Sequence, residues 1–467
     1  MNEQSSKGQW GSRFGFFAAA VGSAVGLGNL WGFPYKMGNN GGFAFLLIYL
    51  ILFAFVGVVM MLTELTLGRK TGKGVIQAYA TIGKKYSFIG WLGWLSPFLI
   101  LAFYNVLGGY CMKYMVANFG DIFHTSWGVN GADSAAYFAS FYSDQVQSVI
   151  YTVIFLALSV FVVAKGVSSG IEKVSTIAMP ALFVMLLIVI IRACTLPGAG
   201  AGLEYVFKPN FEVFTGKGWI SVLASAGGQL FFSLSLAMGI MITYGSYMPK
   251  NEDLQQSAIV IPFADTIVAV MAAMATMPAV FAAGLDPGQG PGMLFVTLQT
   301  VFQAMGAAGP FFGFLFYVLV FIAAFTSCIS IFEAASAAVM DYHIEKGHSA
   351  ERVRSVLLIG FLALIEAVFV ALDGLGSNGF PQIFGQSTWL DSFDLLAEGI
   401  MMPLGAALTA ILFGWIKSGW VDDEIELEGH RFWMKGFYRF CIRFIAPVMM
   451  LLVLLGQISN FFGLGWF

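Results

Sequence analysis

Along this chain, apolar runs of about 20 residues or more alternate with short polar stretches, and as a helix each run is long enough to cross roughly 30 Å of hydrocarbon. The pattern predicts helices near 14–37, 42–68, 88–118, 147–165, 171–193, 219–248, 255–283, 309–345, 353–372, 392–418 and 436–462, eleven in all. Two of these runs are interrupted: "GSAVGLG" (Gly22 to Gly28) breaks the first and "GGQLFFSLSLAMG" (Gly227 to Gly239) breaks the sixth. Breakers and polar groups survive at bilayer depth only where they face protein or water, because lipid offers no hydrogen-bond partner. A pair of interrupted segments in matching positions of two halves is the pattern of inverted repeats with a binding site near mid-bilayer.

An interrupted helix is chemically useful. Its unwound carbonyls can coordinate a small cation, and the amides of the new half-helix point a positive dipole end at an anion. Close helix packing through Gly22-x-x-x-Gly26 is the simpler account of one break alone. Two breaks five helices apart, each with hydroxyl or amide side chains, favour a site.

Composition sets the class. With 467 residues, 58% hydrophobic, 10% charged and a mean hydropathy of +0.81, the chain carries more apolar surface than one soluble core can hide. It reads as an all-α polytopic membrane protein. Eighteen of the 23 Lys and Arg residues fall on the side of the amino terminus, which places that terminus in the cytoplasm and, with an odd number of spans, Phe467 outside the cell. The expected location is the cell membrane, and no cleavable leader is expected. The net charge of −3 adds little, and "DDEIELEG" (Asp422 to Gly429) reads as a solvated cytoplasmic loop.

Other chemistry is sparse. Cys111, Cys194, Cys328 and Cys441 are scattered without disulfide or metal spacing. His124, His348 and His430 fall in loops and His343 at the end of a predicted helix, so no nucleophile with its base and no metal cluster suggests an enzyme. Nothing points to nucleic acid. A channel would want repeated rings along a pore, whereas these polar groups converge on one depth. A substrate-sensing membrane receptor without turnover would use the same site.

At these residues a family resemblance becomes specific. "GSAVGLGNLWGFPY", "NNGG" (Asn39 to Gly42) with "TELTLGR" (Thr63 to Arg69), "FFSLSLAMG" and "TSCISIFEAASAAVMD" (Thr326 to Asp341) resemble the first, second, sixth and eighth helices of the neurotransmitter:sodium symporter family. The similarity runs in order from about Trp10 to Pro447 and is strongest to the bacterial amino-acid branch.

The resemblance implies two inverted five-helix repeats, 14–193 and 219–418. Around them it implies a cytoplasmic latch at 1–13, an extracellular loop at 194–218, and a cytoplasmic loop with an eleventh helix at 419–467. It implies two sodium ions as the coupling ions. The first would be held by the Ala24 carbonyl, Asn29, Ser233 and Asp265, with Asp265 standing either where Asn is common or on the acidic position one turn away. Either way a fixed negative charge beside the ion replaces the chloride that many animal members need. The second ion would be held by the carbonyls of Gly22, Val25 and Ala323 with the hydroxyls of Thr326 and Ser327, though such a pair also back-bonds to its own helix.

By the same resemblance, the substrate carboxylate would lie on the amides of Leu27 and Gly28, the Tyr104 hydroxyl and the first sodium ion, with Ala24 and Ser233 beside it. Its side chain would meet Ile100, Phe232, Ser235, Met238, Ser330 and Ile331. Gly26 stands where monoamine carriers place an Asp, which argues for an amino acid. The adaptable Met238 suggests a hydrophobic or aromatic one. Lys7, Trp10 and Asp341 match an inner latch. On the outside Gly32 replaces the usual Arg, leaving Asp394 without that partner. Glu64 is expected to bond amides of the unwound segments, and Glu333 and Glu398 are buried acids read as structural or proton-coupled. The function implied is sodium-coupled, chloride-independent uptake by alternating access.

Overall fold

A computed structural model of the chain describes residues 8–215, 218–288 and 292–466. It is helical, with no strand among the described residues. The first two helices, α1 (Arg13–Ala24) and α2 (Gly28–Asn39), meet at a 45° bend. Two apolar spans follow, α3 (Phe43–Thr71) and α4 (Lys84–Ile122), and then α5 (Gln145–Ala164) and α6 (Val167–Cys194). Next come α7 (Gly218–Ser233) and α8 (Ile240–Ser246), parted by six residues that are not helical. The remaining spans are α9 (Leu254–Ala282), α10 (Gly306–Glu345), α11 (Arg352–Asp373), α12 (Trp389–Ile416) and α13 (Lys435–Phe461). Among the described residues nine helices are long and apolar enough to cross a membrane, or ten with the bent pair taken as one.

Sequence-local features set the ends. Ser12, Asp144 and Asp253 cap α1, α5 and α9 by accepting from free first-turn amides. Gly72, at φ 64°, closes α3 in the left-handed conformation that glycine adopts at least cost. Burial separates an inner layer from an outer one: 67% of the most apolar window is buried in α3 and α10 but only 33% in α5 and α6. A helix apolar on every side has lipid for its outer face. All four cysteines are free, as expected.

The acidic stretch departs from expectation. Asp422–Ile425 is a helical turn rather than a solvated loop, and Glu424 is buried. Its oxygen accepts from Arg69 Nε at 2.8 Å and from Lys250 Nζ at 2.8 Å. Beside it, the hydrogen bond from Lys70 holds the Asp423 carboxyl below the usual carboxylate range. Counting charge along the chain missed this, because the partners lie in other parts of the sequence.

Candidate functional site

The two breaks touch. Ser235 Oγ donates to the Ser23 carbonyl at 3.1 Å, and the two serine hydroxyls are 3.1 Å apart. In the first break Val25 leaves the helix at ψ 95°, and the Asn29 side chain accepts from the Gly26 amide at 3.0 Å. In the second, Ser235 and Ala237 take φ of 53° and 60°, a conformation that costs a residue with a side chain about 1–3 kcal/mol. Glu64 holds that backbone, accepting from the Ala237 amide at 2.7 Å as the sequence suggested.

One cluster of oxygens gathers around Asn29 at the start of α2. The buried Asp265 carboxylate accepts from Asn29 Nδ2 at 2.7 Å and from Ser233 Oγ at 2.9 Å. Tyr49 adds a third donor at 3.2 Å. Asp265 thus meets both Asn29 and Ser233, while Tyr49 carried no sequence signal beyond an aromatic in an apolar run. Carboxylate, amide and hydroxyl oxygens without sulfur or imidazole suit a hard cation.

A second cluster lies where α10 faces the first break. Ser327 Oγ lies 3.3 Å from the Gly22 carbonyl, 3.0 Å from that of Ser23 and 3.5 Å from that of Val25. Thr326 instead donates to its own helix, to Ile322 at 3.0 Å and Ala323 at 3.2 Å. Gly22, Val25, Ala323, Thr326 and Ser327 therefore stand close together, with the Thr hydroxyl on the back-bonded alternative.

Between the clusters lies a narrow pocket. Ala24, Gly26, Gly28, Ile100, Tyr104, Phe232, Ser233, Ser235, Met238 and Ile331 line it, joined by Ser23 and Ser327. The Leu27 amide donates to the Tyr104 hydroxyl at 3.3 Å. Ser330 is not in the lining: it accepts from Tyr244 at 2.6 Å and donates to the Thr326 carbonyl. Free space amounts to about 20 Å³, room for about one water.

Above the pocket opens a vestibule of about 550 Å³, and Gly28 and Phe232 line both. Asp394 lines it, as does Gly32. One turn beyond Gly32, Lys36 supplies a basic group and pairs with Glu398 at 2.5 Å. The buried Gln229 donates to the Gly28 carbonyl at 2.7 Å, and its carbonyl oxygen lies 2.9 Å from where a Cβ on Gly32 would stand.

The opposite end is closed. Trp10 Nε1 donates to the Tyr244 carbonyl at 3.2 Å, with its ring against Tyr244 and Tyr247. The Gly11 amide and Ser12 hydroxyl bond Glu172 of α6. Asp341 accepts from the Gly74 amide, and Lys7 lies outside the described residues. Glu333 is paired: Arg352 reaches both its oxygens, at 2.6 and 2.9 Å, and the Tyr247 hydroxyl donates to it at 2.6 Å.

A pocket between two broken helices, leading to a vestibule on one side and sealed on the other, is the architecture of a carrier. Comparison with known proteins gives the same class. The sequence profile described as Sodium:neurotransmitter symporter family matches residues 7–132 and 143–466. An uncharacterized sodium-dependent transporter, YhdH of Bacillus subtilis, is 35% identical over 459 residues, covering 97% of this chain and 98% of that one. A second uncharacterized sodium-dependent transporter, from Haemophilus influenzae, is 32% identical over 464 residues, with 97% and 98% covered. The crystal structure of MhsT in complex with L-phenylalanine superposes with a TM-score of 0.86 at 34% identity, covering 97% of this chain and 100% of that chain. The chain belongs to the sodium:neurotransmitter symporter family, and it is a sodium-dependent membrane transporter, not an enzyme.

Proposed function

We propose that this transporter takes up a hydrophobic or aromatic amino acid with two sodium ions, by alternating access and without chloride. The observation that carries the reading is the contact of the two breaks: one unwound backbone stands between an Asn29–Ser233–Asp265 cluster and a Gly22–Val25–Ser327 cluster. The Leu27 amide and Tyr104 hydroxyl are the donors for a substrate carboxylate, and the first sodium ion would complete its charge balance. Asp265 provides the fixed negative charge that makes chloride dispensable.

The substrate class follows from the lining. Ile100, Phe232, Met238 and Ile331 are apolar, and no ionised side chain lies among them. A Cβ on Gly26 would stand 2.4 Å from Ser327 Oγ and 2.7 Å from the Tyr104 hydroxyl, so this position has no room for an acid to meet a bare amine. MhsT with L-phenylalanine, at 34% identity, supports the same class.

Eleven spans, an amino terminus in the cytoplasm and a carboxy terminus outside complete the reading, with inverted repeats over 14–193 and 219–418. The vestibule is then the outer mouth, with Lys36 and Glu398 beside Asp394 as the groups that close it during the cycle, while Trp10, Asp341 and Lys7 are the inner latch that the resemblance implies. Each positive charge moved inward through 100 mV supplies about 2.3 kcal/mol, so two ions drive steep accumulation. By linkage, substrate and ion assist each other's binding equally.

The test is uptake into proteoliposomes from a panel of labelled amino acids, with and without a sodium gradient and with chloride replaced. Sodium-stimulated uptake of phenylalanine or a similar residue, unaffected by chloride, is expected. Uptake that follows chloride would remove the role given to Asp265. No stimulated uptake of any amino acid would remove the substrate class.

A further inference from the structure

The geometry points to Glu424, in the loop between α12 and α13, as a positioning residue of the transport cycle: its carboxylate clamps the inner half of the broken sixth segment and sets how readily the inner side opens. The inference rests on the alternating-access reading.

α8 and α3 behave as one body. A Cβ on Gly68 would fall 1.9 Å from the Ile242 carbonyl, and one on Gly245 would fall 2.5 Å from the Leu65 carbonyl, so the two backbones are in direct contact. At one end α8 is released by the six non-helical residues 234–239. At the other it runs into the turn that carries Lys250 and Glu252. For α8 to swing, this body must part from whatever holds that turn.

One oxygen of the loop joins the turn to the end of α3 by charge. Glu424 Oε1 accepts from Arg69 Nε at the end of α3 and from Lys250 Nζ in the turn, both at 2.8 Å. Lys250 also donates to the Arg69 carbonyl at 2.9 Å, and Arg69 donates to the carbonyls of Glu424 and Glu252. Glu252 in turn pairs with Arg13 of α1 at 3.0 Å, so the chain of contacts reaches the first broken segment. The loop is anchored from behind, where Asp422 pairs with Lys435 at 2.9 Å and Arg439 at 2.5 Å on α13. A carboxylate shared between two cations resists separation, because opening returns three charged groups to separate hydration at once.

The arrangement has an asymmetry that makes it testable. The Arg69 side chain is 1% exposed and that of Glu424 is 6%, while Lys250 is 44% exposed. Removing the Glu424 charge strands a buried cation, and the protein then risks failing to fold. Removing the Lys250 charge leaves the Arg69–Glu424 pair intact and only weakens the hold on the turn. Neutral hydrogen bonds keep the loop docked in either variant: the Gln255 side chain donates to the Arg431 carbonyl and accepts from the Met434 amide.

The full chain in nanodiscs would be followed by hydrogen exchange over residues 240–253, with Glu424→Gln, Lys250→Gln and Lys250→Arg beside the parent. Loss of one charge-assisted hydrogen bond is expected to speed exchange in that segment about tenfold in Lys250→Gln and more in Glu424→Gln. Lys250→Arg should restore the parent rate. Exchange over residues 145–164 of α5, remote from the loop, should not change in Lys250→Gln. Should Lys250→Gln leave exchange over 240–253 unchanged, or raise it equally in α5, the clamp has no gating role. If Glu424→Gln does not fold, the Lys250 pair decides alone. The readout needs no substrate, so its failure is distinct from a failed uptake assay; where uptake is found, Lys250→Gln should raise KM measured from outside several-fold while leaving kcat unchanged.

Discussion

Gly26 shows how little freedom the centre of this protein allows a single residue. Its neighbours in the pocket are the tips of Ser327 and Tyr104, both of which already bond the first break. Gly26→Ala is expected to weaken substrate and sodium binding together by about tenfold or more, since overpacking costs about 1–3 kcal/mol; equilibrium binding of labelled phenylalanine and of labelled sodium checks this. Tyr49 makes a sharper case. It donates to Asp265 from outside the sequence motifs, so Tyr49→Phe should reduce sodium affinity about tenfold at unchanged fold, and an unaltered sodium titration would remove it from the site. At the vestibule, Lys36→Gln leaves Glu398 without its cation; faster loss of bound substrate to the outside is expected, with Lys36→Arg close to the parent.

At the scale of an element, the sixth segment is held open rather than merely unfolded. Ser235 and Ala237 keep left-handed backbone only because other groups satisfy what the helix gave up, and Glu64 does so for the Ala237 amide. Glu64→Ala removes that acceptor, and a buried orphan amide costs about 1–3 kcal/mol. Faster hydrogen exchange over 234–239 is expected, with Glu64→Gln, which keeps an acceptor oxygen, much nearer the parent. Helix ends fall within a few residues of expectation, because cap residues and the length of an apolar run are local. The helical turn at Asp422–Ile425 was read as solvent-facing, because its cations Arg69 and Lys250 are remote in sequence.

Across the whole molecule, the vestibule of about 550 Å³ narrows to a pocket with room for about one water. An amino acid therefore enters only as the pocket walls move, and the coupling to sodium is the expected source of that work. Saturating substrate at a hundred times its Kd should stabilise the protein by about 2.7 kcal/mol. That gain should be seen as a rise in Tm in sodium and be absent in potassium. Equal stabilisation in both salts would mean that substrate and ion are not linked.

Run length and local backbone chemistry made the class, the long apolar helices and the two breaks legible in sequence alone, because hydrocarbon imposes them one segment at a time. Asn29 and Ser233 were legible through their motifs, and Asp265 through the family resemblance. Which groups meet was decided only by the tertiary structure: Ser23 with Ser235, 212 residues apart, Arg69 with Glu424, 355 apart, and Lys36 with Glu398, 362 apart. Charge pairing and hydrogen bonding act over a few ångströms of space, and no pattern along the chain records that distance until the helices have packed.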